Sequence, residues 1–299
     1  MLATQHATEV KLKNILYLTD FSGPAELALF FAKAIAREYD GRITAVHILT
    51  PPPYVYTTPE ATACSIEALE KFAQIEMERV EGQLAGLPHE TLVFRRTSVW
   101  PGLSDAIERC SADLVVLGTH GRTGAQKLLL GSVAEEIFRR VRVPVLTIGP
   151  RVKHDDQGSV RFQRILYATD FTSESLNGAP YAISLASENR AQLILLHVIH
   201  GRAESRELRR GQLSVAEIMH RLHEIVPDEV ELARRPAAVV EFGDPRKAIV
   251  QAADERGADL IVLGIRERAG HFGSATHLEN TTAHNVVAHA ACPVMTVRL

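Results

Sequence analysis

The chain has 299 residues, of which 46% are hydrophobic and 23% charged, and a formal net charge of −3 at pH 7. That balance provides no basic field for nucleic acid, and Arg206, Arg209 and Arg210, the nearest thing to a cluster, suit a solvated helix face or loop. No run of 18 apolar residues occurs, residues 1–6 lack the plan of a signal peptide, and the cysteines Cys64, Cys110 and Cys292 are odd in number and widely spaced, so a cytoplasmic protein with reduced thiols and no membrane span is expected.

Taken in order, short apolar runs alternate with helical periodicities. Strands are predicted near 14–19, 42–49, 91–97, 113–118 and 143–149. Between them, Leu27, Phe30, Phe31, Ala34 and Ile35 make the apolar face of a first helix, and Ile66, Leu69, Ala73, Met77, Val80 and Leu84 that of a second. Leu103, Ala106 and Ile107 supply a short third helix, and Val133, Ile137, Phe138 and Val141 a fourth. The pattern then starts again, with strands near 164–169, 191–199, 237–242, 259–264 and 294–298. Alternation of this kind predicts a parallel sheet with helices on both faces.

The second series is a copy of the first. Ile15-Leu16-Tyr17-Leu18-Thr19-Asp20-Phe21 returns 150 positions later as Ile165-Leu166-Tyr167-Ala168-Thr169-Asp170-Phe171, and Val46-His47-Ile48 returns at the same offset as Leu196-His197-Val198. Two tandem domains are therefore predicted, 1–150 and 160–299, joined through the polar stretch 151–159. Each half is large enough to bury its own core. His47 and His197, inside apolar strands at matching positions, read as satisfied core histidines.

The most informative stretch is Gly118-Thr119-His120-Gly121, with Gly131-Ser132 nine residues further on. It closes the apolar run Leu114-Val115-Val116-Leu117 and opens the fourth helix, where unpaired N–H groups and the helix dipole favour an anion. Asp20 ends the first strand and Gly118 the fourth, so both face the crevice at which a doubly wound sheet reverses its strand order. Asp20 also suits a cap or turn role before the helix that starts near Pro24.

Together the Gly118-x-x-Gly121-x(9)-Gly131-Ser132 spacing, the strand-ending Asp20 and the duplication resemble the universal stress protein family, in its tandem two-domain form. The resemblance covers nearly the whole chain. It implies an α/β fold of two doubly wound domains, each a five-stranded parallel sheet with flanking helices, Rossmann-like and similar to adenine nucleotide alpha hydrolases. It also implies ATP, with Mg²⁺ bridging its phosphates. On that reading Asp20 meets the ribose and the backbone of Ile48 meets adenine. Gly118 and Gly121 line the ribose and phosphate passage, and Gly131, Ser132 and Val133 hold the β- and γ-phosphates. Arg122 and Lys127 are either phosphate partners or solvated loop charges. Antiparallel pairing of the last strands of the two halves, 144–148 and 293–297, is implied too, and a homodimer of chains is expected.

The second half departs from this pattern. Glu267 stands where Gly121 stood, residues are inserted around 269–276, and Asn280-Thr281 replaces Gly131-Ser132. A carboxylate there repels phosphate, whereas Thr281 or Thr282 can still cap the last helix. The second half keeps Gly243-Asp244-Pro245 where the first has Val99-Trp100-Pro101. His271, His277, His284 and His289 lack the spacing of a zinc site and read as surface or helix-start histidines. The proline-rich 50–59 segment, carrying Tyr54 and Tyr56, is a lid or a plain surface loop. An ATP-binding signalling or stress-response protein without efficient catalysis is the leading reading. The alternatives are an ATP-using enzyme, either a slow ATPase or a nucleotidyl or phosphoryl transferase, and a scaffold without ligand. No adenylylation signature, phosphate-loop lysine or paired carboxylates accompany the glycines.

Overall fold

The computed structural model describes residues 10–50, 59–119, 132–152, 162–201, 204, 206, 208, 210–211, 213–266 and 281–298. The described chain divides into two compact units, one built on the described residues within 12–119 and 132–140 and the other on those within 10–11 and 141–298.

In the first unit the order is β1 (Asn14–Leu18), α1 (Gly23–Glu38), β2 (Arg42–Leu49), α2 (Pro59–Gln83), β3 (His89–Arg95), α3 (Val99–Cys110), β4 (Leu114–Gly118) and α4 (Ser132–Arg140). Its strands lie side by side as β3-β2-β1-β4, all parallel. The sheet therefore runs outward from β1 to β3 and then returns to the opposite flank of β1, which makes the β1/β4 boundary its switch point. Leu114, Val115, Val116 and Ile15, Leu16 are fully buried, as central parallel strands covered on both faces must be.

The helix faces follow their periodicity with one rotation. In α1 the buried residues are Ala25, Ala28, Leu29, Phe31, Ala32, Ala34, Ile35 and Ala36, so Leu27 and Phe30 sit at the margin of the face and not at its centre. The buried hydroxyl of Tyr17 on β1 donates to the Ala25 carbonyl at 2.8 Å and fixes how the first turn of α1 rolls onto the sheet. In α2 the buried positions Ala73, Met77 and Val80, followed by Leu84, are those expected. β3 starts two residues earlier than predicted because the Pro88 carbonyl already accepts the Ile43 N–H at 2.9 Å. It stops at Arg95, where the Arg96 amide makes the last ladder bond to the Leu49 carbonyl and the chain turns into α3 at Val99.

The second unit holds β5 (Val145–Ile148), β6 (Arg164–Ala168), α5 (Ser173–Leu176), α6 (Ala179–Glu188), β7 (Gln192–Ile199), α7 (Val215–His223), β8 (Ala237–Phe242), α8 (Pro245–Arg256), β9 (Leu260–Gly264), α9 (Thr282–His289) and β10 (Val294–Val297). Its strand order is β5-β10-β9-β6-β7-β8. Strands β6 to β10 are mutually parallel, whereas β5 joins β10 antiparallel, in the register Thr147↔Val294, Leu146↔Met295 and Val145↔Thr296. The pairing of the two last strands is as expected. The α/β class, the parallel sheets and the flanking helices also agree with the sequence reading.

The duplication is visible in atomic detail. The Tyr167 hydroxyl donates to the Ser175 carbonyl at 2.7 Å, the counterpart of Tyr17 on Ala25. At the opposite end of the strands, Asp113 accepts the amides of Lys13 and Asn14, and Asp259 those of Gln163 and Arg164. Burial raises the pKa of both carboxyls above the ordinary range, partly countered by those amides.

Candidate functional site

The candidate site lies where β1, β2 and β4 end. Thr19 leaves β1 with its amide still bonded to the Val46 carbonyl at 2.9 Å, and the chain then turns sharply through Phe21, whose φ of +63° is left-handed. A phenylalanine adopts that conformation at a cost of about 1–2 kcal/mol, so its surroundings must hold it there. Three contacts do so. The Phe21 N–H donates to the Thr19 hydroxyl at 3.0 Å, the Ser22 N–H donates to the Asp20 carboxylate at 3.1 Å, and the Phe21 ring lies 4.3 Å from the imidazole of His47. Ser22 then caps α1 by accepting the Ala25 amide. Asp20 is therefore the turn residue and Ser22 the cap, which separates two roles that the sequence left together.

Gly118 ends β4 beneath the start of α1. A Cβ placed on it would lie 2.7 Å from both the carbonyl carbon and oxygen of Pro24 and 3.0 Å from the Ala25 amide. The missing side chain thus has a packing reason independent of any ligand. Gly264 in the second unit shows the same, with the Glu174 and Ser175 carbonyl oxygens 2.3 and 2.4 Å from the position of an added Cβ. This glycine persists in the half whose phosphate motif is broken.

Ile48 turns its side chain inward, 9% exposed and close to Gly102 of α3. Ser132 and Val133 open α4 as its first two residues. Gly121, Arg122 and Gly131 lie outside the described residues, as do His120, Lys127, Tyr54, Tyr56, Glu267, His271 and His277. The structure thus brings Asp20, Ile48 and Gly118 to the carboxyl ends of three neighbouring strands.

The second unit repeats the turn with different surroundings. Phe171 has φ +61°, its N–H donates to the Thr169 hydroxyl at 2.9 Å, and its ring lies 4.7 Å from the His197 ring. Asp170, however, accepts from both the amide and the hydroxyl of Thr172 and faces Arg266 at 3.7 Å. Burial alone would push its pKa up, but hydrogen bonds from Thr172 and Ser175 and the charge of Arg266 outweigh that and hold it below the usual carboxylate range. Arg221 stacks on Phe171 at 4.0 Å, and Glu204 lies 2.8 Å from His197 Nε2 and accepts from the His200 amide at 3.1 Å. Thr281 caps α9 by accepting the His284 amide.

The sequence pattern of the universal stress protein family matches residues 11–149 and again 161–298, two stretches that together span most of the chain. The chain belongs to the universal stress protein family. A universal stress protein of Mycolicibacterium smegmatis is 28% identical, covering 98% of this chain and 99% of its own length. Another, of Methanocaldococcus jannaschii, is 30% identical over 46% of this chain and 81% of its own length. Among solved structures, a universal stress protein of Archaeoglobus fulgidus superposes with a TM-score of 0.67 over 95% of this chain and 97% of that one, at 21% identity, which speaks for the fold. Full coverage of the tandem relative agrees with a duplicated universal stress protein architecture.

One group of residues is not apparent from either half of the sequence alone. Thr19, Phe21 and His47 recur together as Thr169, Phe171 and His197, and their joint return at one offset was the available signal.

Proposed function

We propose that this universal stress protein binds one ATP per chain, with Mg²⁺ on the phosphates, in its first half, and that bound nucleotide sets a signalling or stress-response state without efficient turnover. The observation that carries the reading is the placement of Asp20 and Gly118 on either side of the β1/β4 switch point, where doubly wound sheets bind ligands. In this reading Asp20 meets the ribose and Ile48 the base. Gly118 and Gly121 flank the ribose and phosphates, while Gly131, Ser132 and Val133, with Arg122, take the terminal phosphates at the start of α4. The second half is proposed to be the non-binding one, in keeping with Asp170 being held by Thr172 and Arg266. Domain limits of 1–150 and 160–299, a cytoplasmic location and dimerisation of chains belong to the same proposal.

The test is titration calorimetry with MgATP, together with analysis of nucleotide co-purifying with the chain and an ATP hydrolysis assay. One site per chain, weakened at least tenfold (about 1.4 kcal/mol) by Asp20→Ala or Gly131→Val and with negligible product, is expected. Two equal sites would overturn the asymmetry, and multiple turnovers per second abolished by Gly131→Val would promote the enzyme.

A further inference from the structure

In a parallel ladder a strand sends both backbone groups of every second residue to the same neighbour. On β2 the Val46 carbonyl accepts from Thr19 beside β1, and the Leu49 carbonyl accepts from Arg96 beyond β3. Val46 therefore faces β1, and so does Ile48, two residues on. The register Leu18↔Val46 fixes what the next step would be, namely Ile48 N–H to the Thr19 carbonyl and the Phe21 N–H to the Ile48 carbonyl.

Neither bond is made. The Thr19 carbonyl is taken by Nδ1 of His47 at 2.8 Å, and the Phe21 N–H is taken by the Thr19 hydroxyl at 3.0 Å. The carbonyl fixes the tautomer, since only a protonated Nδ1 can donate to it. A side chain on β2 has replaced the backbone of its own neighbour, and the ladder ends one step early. The same substitution occurs in the second unit, where His197 Nδ1 meets the Thr169 carbonyl at 2.9 Å and the Phe171 N–H meets the Thr169 hydroxyl at 2.9 Å. Among the described residues that leaves one N–H and one C=O of a single residue, Ile48 or Val198, directed past the end of the neighbouring strand.

We propose that His47 is a positioning residue that sets base specificity: by occupying the Thr19 carbonyl it releases the Ile48 N–H and C=O as an adjacent donor and acceptor for the Watson–Crick edge of adenine. The fit is chemical. Adenine presents an acceptor at N1 beside a donor at N6, whereas guanine presents a donor at N1 beside an acceptor at O6, the reverse order along that edge. The inference rests on the ATP reading above for its ligand, and on the ladder geometry alone for the release of Ile48.

Two substitutions separate the roles of the imidazole. In His47→Asn the amide nitrogen stands near the place of Nδ1 and keeps the bond to Thr19, whereas in His47→Gln it stands near Nε2 and loses it. Calorimetry with MgATP and MgGTP is expected to show ATP preferred by the parent. His47→Gln should weaken ATP at least tenfold and GTP less than twofold, His47→Asn should keep ATP within threefold of the parent, and His197→Gln should change neither. Equal weakening of ATP and GTP by His47→Gln would mean a merely structural histidine and would overturn the proposal. Amide hydrogen exchange reads the release without ligand. The Ile48 amide should exchange at least tenfold faster than that of Val46 in the parent and become protected in His47→Gln, as its N–H closes onto Thr19. Should His47→Gln not fold, the Val198 amide in His197→Gln reports the same step. An Ile48 amide as protected as Val46 in the parent overturns the release whatever the nucleotide does. A parent that shows this exchange pattern and binds neither nucleotide overturns the ATP reading and the base-specific role together, leaving only the early end of the ladder.

Discussion

Replacing Gly118 and Gly264 by alanine separates packing from ligand binding. At Gly118 the added methyl would stand 2.7 Å from the Pro24 carbonyl, and at Gly264 it would stand 2.3 and 2.4 Å from two carbonyl oxygens, against the 3.4 Å or more of an ordinary contact. The opposing atoms are backbone at the start of a helix, so relief requires the helix to lift off the sheet. Inserting a methyl where nothing can yield costs typically about 1–3 kcal/mol. Alanine offsets roughly 0.4–1 kcal/mol of this by restricting the unfolded chain. The net is about 0.5–1.5 kcal/mol for Gly118→Ala and about 1.5–2.5 kcal/mol for Gly264→Ala, where the overlap is deeper. At roughly 2–4 °C per kcal/mol for a unit of this size, the midpoints should fall by about 1–6 °C and about 3–10 °C. Thermal unfolding followed by circular dichroism, repeated with excess MgATP, is the assay. Because Pro24 stands only two residues after the Asp20–Ser22 turn, Gly118→Ala should also weaken ATP about tenfold, whereas Gly264→Ala should leave it unchanged. A Gly118→Ala protein that melts with the parent would refute the packing argument.

Tyr17→Phe and Tyr167→Phe each remove a buried hydroxyl that anchors the first turn of a helix, and should each cost about 1–2 kcal/mol in urea unfolding; a neutral result would mean that those carbonyls are satisfied without the hydroxyl. Asp244, which caps α8 and is bonded by Arg246, is held down to a pKa of about 2 from an ordinary 3.8. A depressed carboxyl favours the folded state above its unfolded value, so this contribution should be complete above about pH 4 and lost as the pH falls toward 2. Asp244→Asn should therefore flatten the acid limb of the stability curve; an unchanged slope between pH 4 and 2 would contradict the assignment.

Much of the fold was legible because its central strands are short and mostly apolar runs, and a chain with few such runs leaves little choice of order. The copy of 15–21 at 165–171 then gave the tandem arrangement. The rotation of α1 was not legible: Leu27 and Phe30 share the helical period with Ala28 and Phe31, and the choice between the two faces is made by the Tyr17 bond to Ala25, a contact across the fold. Gly118 illustrates a different limit. A glycine that ends a strand before a phosphate motif reads as a ligand residue, yet the persistence of Gly264 beside a broken motif already pointed to packing. The role of His47 was hidden for a third reason. Its position in an apolar strand said only that it is satisfied, while its effect is on which backbone bonds its neighbours make.

The antiparallel seam of β5 on β10 has a consequence for what kind of object this chain is. Val145-Leu146-Thr147-Ile148 and Val294-Met295-Thr296-Val297 are near-copies that meet head to tail, so each is as complementary to itself as to the other. The seam lies inside the second unit, which is thus closed by a strand belonging to the first of the two family matches. Because β5 and β10 belong to one polypeptide, their encounter is intramolecular, with an effective concentration on the order of millimolar. A polypeptide cleaved after β5 would have to bring that strand back by collision, and dilution would then decide whether the pair forms.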